Sequence, residues 1–202
     1  MKKPVQIISD HFKKFPPAIR LFLLRIFVLF IVWKLVYGFL LQPDRILDGP
    51  LTMKVGGDVA WFLRKSFNSQ DFQATDRISE KWFEGQQLKT PVSRIEYKGK
   101  KIMHIADGCN GLELYILYLG FLVAIPASVK RKLFYGVFGA LVIYLVNMFR
   151  CVGLAYMAIY WRDQFDFAHH YLFKVIVYGT IFLLWIGFAE KTFKSDEYSP
   201  SA

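Results

Sequence analysis

Apolar residues in this chain are gathered into long runs instead of being spaced along one face of a helix. One run covers residues 21–41, a mixed and polar stretch follows to Asp107, and three more runs extend from about Cys109 to Ala127, from Leu133 to about Tyr160, and from about His169 to Phe188. Runs of about 20 apolar residues match the roughly 30 Å hydrocarbon core of a bilayer. The pattern predicts an all-α integral membrane protein with about four transmembrane helices and one extracytoplasmic insert. The run 21–41 is longer than the core of about 7 to 15 residues of a signal peptide, and no small-residue cleavage site follows it, so it reads as a retained first transmembrane helix that Gln42-Pro43-Asp44 ends.

Within the insert, residues 42–107, the periodicity changes twice. Leu51, Val55, Val59, Phe62 and Leu63 recur at helical spacing and predict an amphipathic helix over 51–67 on the membrane surface. Further on, Val92, Ile95 and Tyr97 precede Lys98-Gly99-Lys100, and Ile102, His104 and Ile105 follow it. Two short runs around a glycine turn predict a β-hairpin over 92–105. Residues 68–90 are charged and without period, and read as loop with a short helix near Glu80 to Phe83.

Charge orients these elements. The chain carries 26 Lys+Arg against 16 Asp+Glu, but much of the excess flanks the apolar runs, at Lys2, Lys3, Lys13, Lys14 and Arg20, at Lys130-Arg131-Lys132, and at Lys191 and Lys194. Positive-inside topology accounts for it without a nucleic-acid partner. Residues 1–20 and 191–202 are then cytoplasmic, 21–41 is the first span, 42–107 lies outside, and 108–190 is a three-helix membrane core. Gly136 and Ala140, at GxxxA spacing, predict close helix packing in the third span. The 54% hydrophobic and 18% aromatic content agrees with the membrane class.

Candidate chemistry is sparse and sits on one level. The two cysteines form no CxxC and no zinc spacing, and no phosphate-binding glycine loop is present, so no metal and no cofactor are implied. Cys109 lies in Asp107-Gly108-Cys109-Asn110-Gly111-Leu112-Glu113, at the outer end of the second span. Arg150 is about 17 residues along the third span, or roughly 26 Å, in its outer half. His169 and His170 open the fourth span at the same level.

A thiol at a helix N-terminus near a cation is biased towards thiolate, the form that attacks carbonyls. Histidine can take the thiol proton and protonate a leaving amine, and arginine can hold the thiolate or an oxyanion. Asn147, three residues before Arg150, shares its helix face and is suited to orient the guanidinium or donate to the oxyanion. The glycines beside Cys109, Gly108 and Gly111, allow close approach of a substrate backbone. Against this stand plainer readings: Arg150 pairing with Glu113 or Asp166 to hold the bundle, Cys151 as packing, since it points about 100° away from Arg150, and His104 as a surface residue.

Cys109-Asn110-Gly111-Leu112, Asn147-Met148-Phe149-Arg150 and the histidine opening the last helix together resemble the three signature blocks of the exosortase/archaeosortase family of membrane cysteine transpeptidases, over roughly residues 50–190. The resemblance implies a protease that cleaves the C-terminal sorting signal of exported proteins, a motif followed by a transmembrane helix and a basic tail. Cys109 would form a thioester that an envelope acceptor resolves, with Arg150 and His169 assisting and Asn147, Asn110, Gly111 and His170 in support. His169 is preferred to His170 because His-x-Tyr-Leu-aromatic fits the last block. A lipid or a glycan is a candidate acceptor. The expected location is the cytoplasmic membrane of a bacterium, with the site on the periplasmic side. The chain departs from longer members in having about four spans instead of eight, and in carrying Glu113 where many have a basic or amide residue. The alternative is a non-catalytic membrane subunit of an export or polysaccharide assembly system.

Overall fold

A computed structural model describes residues 17–83 and 86–197. The basic residues up to Lys14 and the last five of the expected tail lie outside the described residues. Helix α1, Pro17–Val36, opens on a proline, which costs nothing at the first helical position because that N–H has no partner there. A π-helical turn, Tyr37–Leu41, continues it.

Helix α2, Asp48–Phe67, takes in the predicted amphipathic helix and starts three residues before it. It ends on Asn68 in the left-handed region (φ 46°), whose N–H returns to the Arg64 and Lys65 carbonyls. Its apolar face, Val55, Val59, Ala60 and Leu63, is buried against protein rather than laid on lipid. Gly56 makes that contact so close that a Cβ there would fall 2.0 Å from Ser93 Oγ.

The covering surface is a three-stranded antiparallel sheet in the order β1-β2-β3, with β1 at Phe72–Phe83, β2 at Gln86–Tyr97 and β3 at Lys100–Ile105. The hairpin expected over 92–105 is the β2–β3 pair, turning on Lys98 (φ 49°) and Gly99 (φ 72°), both positive as a two-residue hairpin turn of this hand requires. Residues 68–90 are not loop and short helix, and the fold is therefore not all-α. They supply β1 and the start of β2, paired from Phe72↔Tyr97 to Phe83↔Gln86. The period was hidden because Phe72 is the one fully buried residue in the first half of β1, and Gln73, Asp76, Arg77 and Ile78 are exposed.

Three long helices follow: α3, Leu112–Ala124, α4, Val129–Tyr160, and α5, Phe173–Glu197. Two spans among the described residues, Val129–Tyr160 and Arg162–Thr192, are long and apolar enough to cross a membrane. Only 17% of the second one's apolar window is buried, unlike the core helix of a soluble protein. Of the four expected, α3 has 13 residues, about 20 Å at 1.5 Å per residue, short of a 30 Å core. Close packing in α4 occurs at Gly139, where a Cβ would run into the Tyr118 ring, and at Gly153, where it would meet the Phe173 ring at 2.6 Å, and not at Gly136, whose nearest neighbour would be at 3.7 Å.

The buried side chains form two clusters. One joins α2, the sheet and the C-terminal part of α4 (Cys151, Val152, Leu154, Ala155). The other joins α3, α4 and α5 through Leu114, Tyr118, Ile143, Val177 and Ile181. A hydrogen bond from the Tyr144 hydroxyl to Asp58 ties α2 to α4. The segment Ala106–Gly111 crosses between the two clusters.

Candidate active site

After β3 the chain runs through extended Ala106 into a 3₁₀ turn, Asp107–Cys109, and enters α3 through Asn110 and Gly111. Each residue of this passage has a local reason. Asn110 is buried, and its Oδ1 accepts the Leu112 N–H at 2.8 Å, satisfying one of the free donors at the start of α3. Its Nδ2 donates to Asp48 Oδ1 at 2.9 Å and to Thr52 Oγ1 at 3.2 Å. Gly111 stands at φ 92°, and a Cβ there would lie 3.1 Å from Asn147 Nδ2. Both facts select glycine.

Asp107 anchors the turn to the insert. Arg45 donates from Nε at 2.8 Å and Nη2 at 2.5 Å to its two carboxylate oxygens, and Thr52 Oγ1 adds a third bond at 2.8 Å. Burial by itself would raise the Asp107 carboxyl, but the Arg45 and Thr52 hydrogen bonds and the Arg45 charge outweigh it, holding it below the usual carboxylate range. The same pairing raises Arg45 further above its already high value, against a smaller opposing effect of burial.

The Cys109 thiol, half-buried and free, stands 3.7 Å from His169 Nε2 and 3.7 Å from Arg150 Nη2. Asn147, buried in α4, connects the parts: its Nδ2 donates to the Cys109 carbonyl at 3.0 Å, and its Oδ1 accepts from Arg150 Nη1 at 3.2 Å. Arg150 Nε is buried without a hydrogen-bond partner. No ion pair joins Arg150 to Glu113 or Asp166 among the described residues, so the guanidinium faces a sulfur and an amide instead of a carboxylate. His169 lies in a π-helical turn, Ala168–Leu172, a widening of the helix often found at functional sites. Its ring stacks on Phe165 at 6.0 Å. His170 turns away, with Nδ1 at 2.9 Å from the Asp166 carbonyl.

Cys109, Arg150, His169 and Asn147 therefore meet, Asn110 and Gly111 shape the turn, and His170 stays outside. Gly108 is exposed with nothing within 4 Å of a built Cβ, so open space lies beside the thiol turn. Cys151 is buried, its sulfur 3.9 Å from the Cys109 carbonyl, and both cysteines are free. A cavity of about 630 Å³ lies between α1 and α3, lined by Trp33, Lys34, Arg45, Asp48, Asp107 and Glu113 among others. A second of about 250 Å³ includes Gly108, Gly111, Glu113, Arg150 and Lys174. Sequence reasoning did not find Arg45, Asp48 or Thr52, whose partners in the turn are more than 50 positions away in the chain. No cluster of three or more His, Cys, Asp or Glu suited to a metal is present among the described residues.

The family profile described as transmembrane exosortase matches residues 81–187, a segment that starts late in β1 and includes Cys109, Arg150 and His169. The chain belongs to the transmembrane exosortase family. It is a membrane protein, and its two long apolar helices fit an exosortase. The matched segment holds the thiol turn, α3, α4 and most of α5. Tyr37, Arg45, Asp48 and Thr52, which support this exosortase's cysteine turn from outside, precede it. No curated protein and no solved structure matches the chain.

Proposed function

We propose that this exosortase is a membrane cysteine transpeptidase that cleaves the C-terminal sorting signal of exported proteins through a Cys109 thioester and passes them to an envelope acceptor. The observation that carries the reading is the single sulfur flanked by a guanidinium and an imidazole, each at 3.7 Å. Membership in the family supports the reaction class.

In the proposed sequence, His169 Nε2 takes the thiol proton as the sulfur attacks the scissile carbonyl. Negative charge then develops on the carbonyl oxygen, where Arg150, with its unpartnered Nε, is the stabilising cation. His169 returns the proton to the departing amine, the C–N bond breaks and a thioester remains. An acceptor hydroxyl or amine loses its proton to His169, attacks the thioester and frees the thiol. Asn147 orients Arg150 and grips the Cys109 carbonyl, so nucleophile and cation move as one unit. In this reading α1 and α3 complete a four-helix membrane domain, and the insert with the thiol turn faces the outer side of a bacterial cytoplasmic membrane. Lys130-Arg131-Lys132 at the start of α4 supports that orientation.

The test is to express the wild type, Cys109→Ala and Cys109→Ser beside a reporter ending in a motif, a transmembrane helix and a basic tail, and to follow a tag placed after the tail. Loss of the tag with wild type alone, at equal protein levels, is expected. Tag removal by the variants would refute the thiol mechanism and leave the cluster as the structural network of a non-catalytic subunit.

A further inference from the structure

Arg45 adopts φ 50°, a left-handed conformation that glycine or asparagine enters more readily than arginine. The backbone of this turn makes no use of the side chain: the Arg45 N–H donates to the Gln42 carbonyl at 3.1 Å, and its own carbonyl accepts from Gly49 at 2.8 Å. What needs an arginine is Asp107. The guanidinium meets both carboxylate oxygens, a two-point grip that a lysine cannot reproduce.

Asp107 is the first residue of the 3₁₀ turn whose last residue is Cys109, and it has a second restraint from Thr52. Thr52 in turn accepts from Asn110, the residue after the thiol. Asp48 accepts from Asn110 and from the Tyr37 hydroxyl at 2.7 Å. The turn is thus held on both sides of Cys109 by residues 37–52, none of which touches the sulfur. Its other holds come from α4, through Asn147 and Cys151 on the Cys109 carbonyl. Arg150 belongs to α4 and His169 to the segment after it. The insert therefore adds side-chain holds on the residues before and after Cys109 to the holds that α4 makes on its carbonyl.

We propose that Arg45 and Thr52 are positioning residues: acting through Asp107, they lock the rotation of the cysteine turn so that the thiol stands between Arg150 and His169. The role rests on the reading of Cys109 as the nucleophile. It assigns to this chain a catalytic support that the matched segment 81–187 does not contain. Thr52 does not line the 630 Å³ cavity while Arg45 and Asp107 do, so Thr52 alters the turn without altering that wall.

The experiment uses the full chain in membranes, where Cys151 is fully buried, out of reach of an impermeant reagent, and Cys109 alone reports. One arm measures the rate of Cys109 alkylation by a membrane-impermeant maleimide, and the other measures kcat and KM for tail removal from the reporter. Thr52→Val is expected to lower kcat about 10-fold with KM within about twofold, and Arg45→Gln about 100-fold, the scale of a misplacement of about 1 Å. Arg45→Lys should recover only part of that loss. The exchange Arg45→Asp with Asp107→Arg should exceed either single variant. Alkylation rates should change in the same variants. Wild-type kcat and alkylation in folded Arg45→Gln and Thr52→Val overturn the proposal, as does a loss that follows the amount of folded protein alone. If Cys109→Ala still processes the reporter, the nucleophile assignment fails, while the alkylation arm still decides whether the clamp orients the turn.

Discussion

Cys109 and His169 are 60 positions apart in the chain, yet Sγ and Nε2 stand 3.7 Å from each other. The contact joins the end of a 3₁₀ turn after the sheet to a π-helical turn before the last helix. Two irregular segments, each anchored by a regular element, meet over α4.

The two neighbouring histidines should separate cleanly. His169→Ala removes the group beside the sulfur and is expected to lower tail removal by about 10²- to 10⁴-fold, the usual worth of a general acid-base. His170→Ala, which loses a contact to the Asp166 carbonyl and an edge-on ring contact with His169 but nothing at the sulfur, should stay within about threefold of wild type. Initial rates of tag release in isolated membranes make the comparison, and equal losses would show that the pair is not divided as the geometry indicates.

At position 150 the charge by itself should not suffice. Lysine keeps the cation but cannot bond Asn147 Oδ1 and face the sulfur through separate nitrogens of one planar group, as Arg150 does. Arg150→Lys and Arg150→Gln are both expected to lose about 10²- to 10³-fold in kcat, the scale of one oxyanion donor. Full activity in Arg150→Lys would reduce the role of Arg150 to that of a point charge.

Gly111→Ala combines a positive φ of 92° with a Cβ at 3.1 Å from Asn147 Nδ2. Destabilisation of about 1 kcal/mol or more is expected, read as a lower Tm in detergent, together with a loss of activity as Asn147 is pushed from the Cys109 carbonyl. Gly108→Ala, which meets nothing within 4 Å, is the matched control and should leave the Tm unchanged.

Acid should loosen the insert from the turn. The Asp107 carboxyl is held below its usual range, so the Arg45 and Thr52 contacts contribute in full above the unfolded value near pH 4 and are lost as pH falls through the lower folded value. Thermal unfolding followed from pH 6 down to pH 3 should show a fall below about pH 4 that is smaller in Asp107→Asn. An identical pH profile in that variant would remove Asp107 as a source of the dependence.

Much of this was legible in order along the chain. Apolar run length gave the long helices, the spacing of Leu51, Val55, Val59 and Leu63 gave α2, and the glycine turn gave β2–β3, because each of these signals is local. The strand β1 escaped because sheet pairing, rather than its own period, makes it a strand: from Thr75 to Glu80 it shows no clear inward and outward alternation. In α4 the sequence offered two small residues at Gly136 and Ala140, and the close contacts formed at Gly139 and Gly153, since which glycine faces Tyr118 or Phe173 depends on how the helices rotate against each other.

The sequence by itself singled out the residue types that can carry the chemistry, Cys109, Arg150 and His169, and predicted a common level for them from run length and the 1.5 Å rise of a helix. Depth says nothing about lateral position or about side-chain direction. Tertiary packing decided that His169 faces the sulfur and His170 does not, that Asn147 joins the Cys109 carbonyl to Arg150, and that Arg45 grips Asp107 across 62 positions. These contacts arise only when α2 has packed on the sheet and α4 has closed beneath both. Hydrogen bonds act over about 3 Å, and no local pattern encodes a contact between segments that only the folded core brings together.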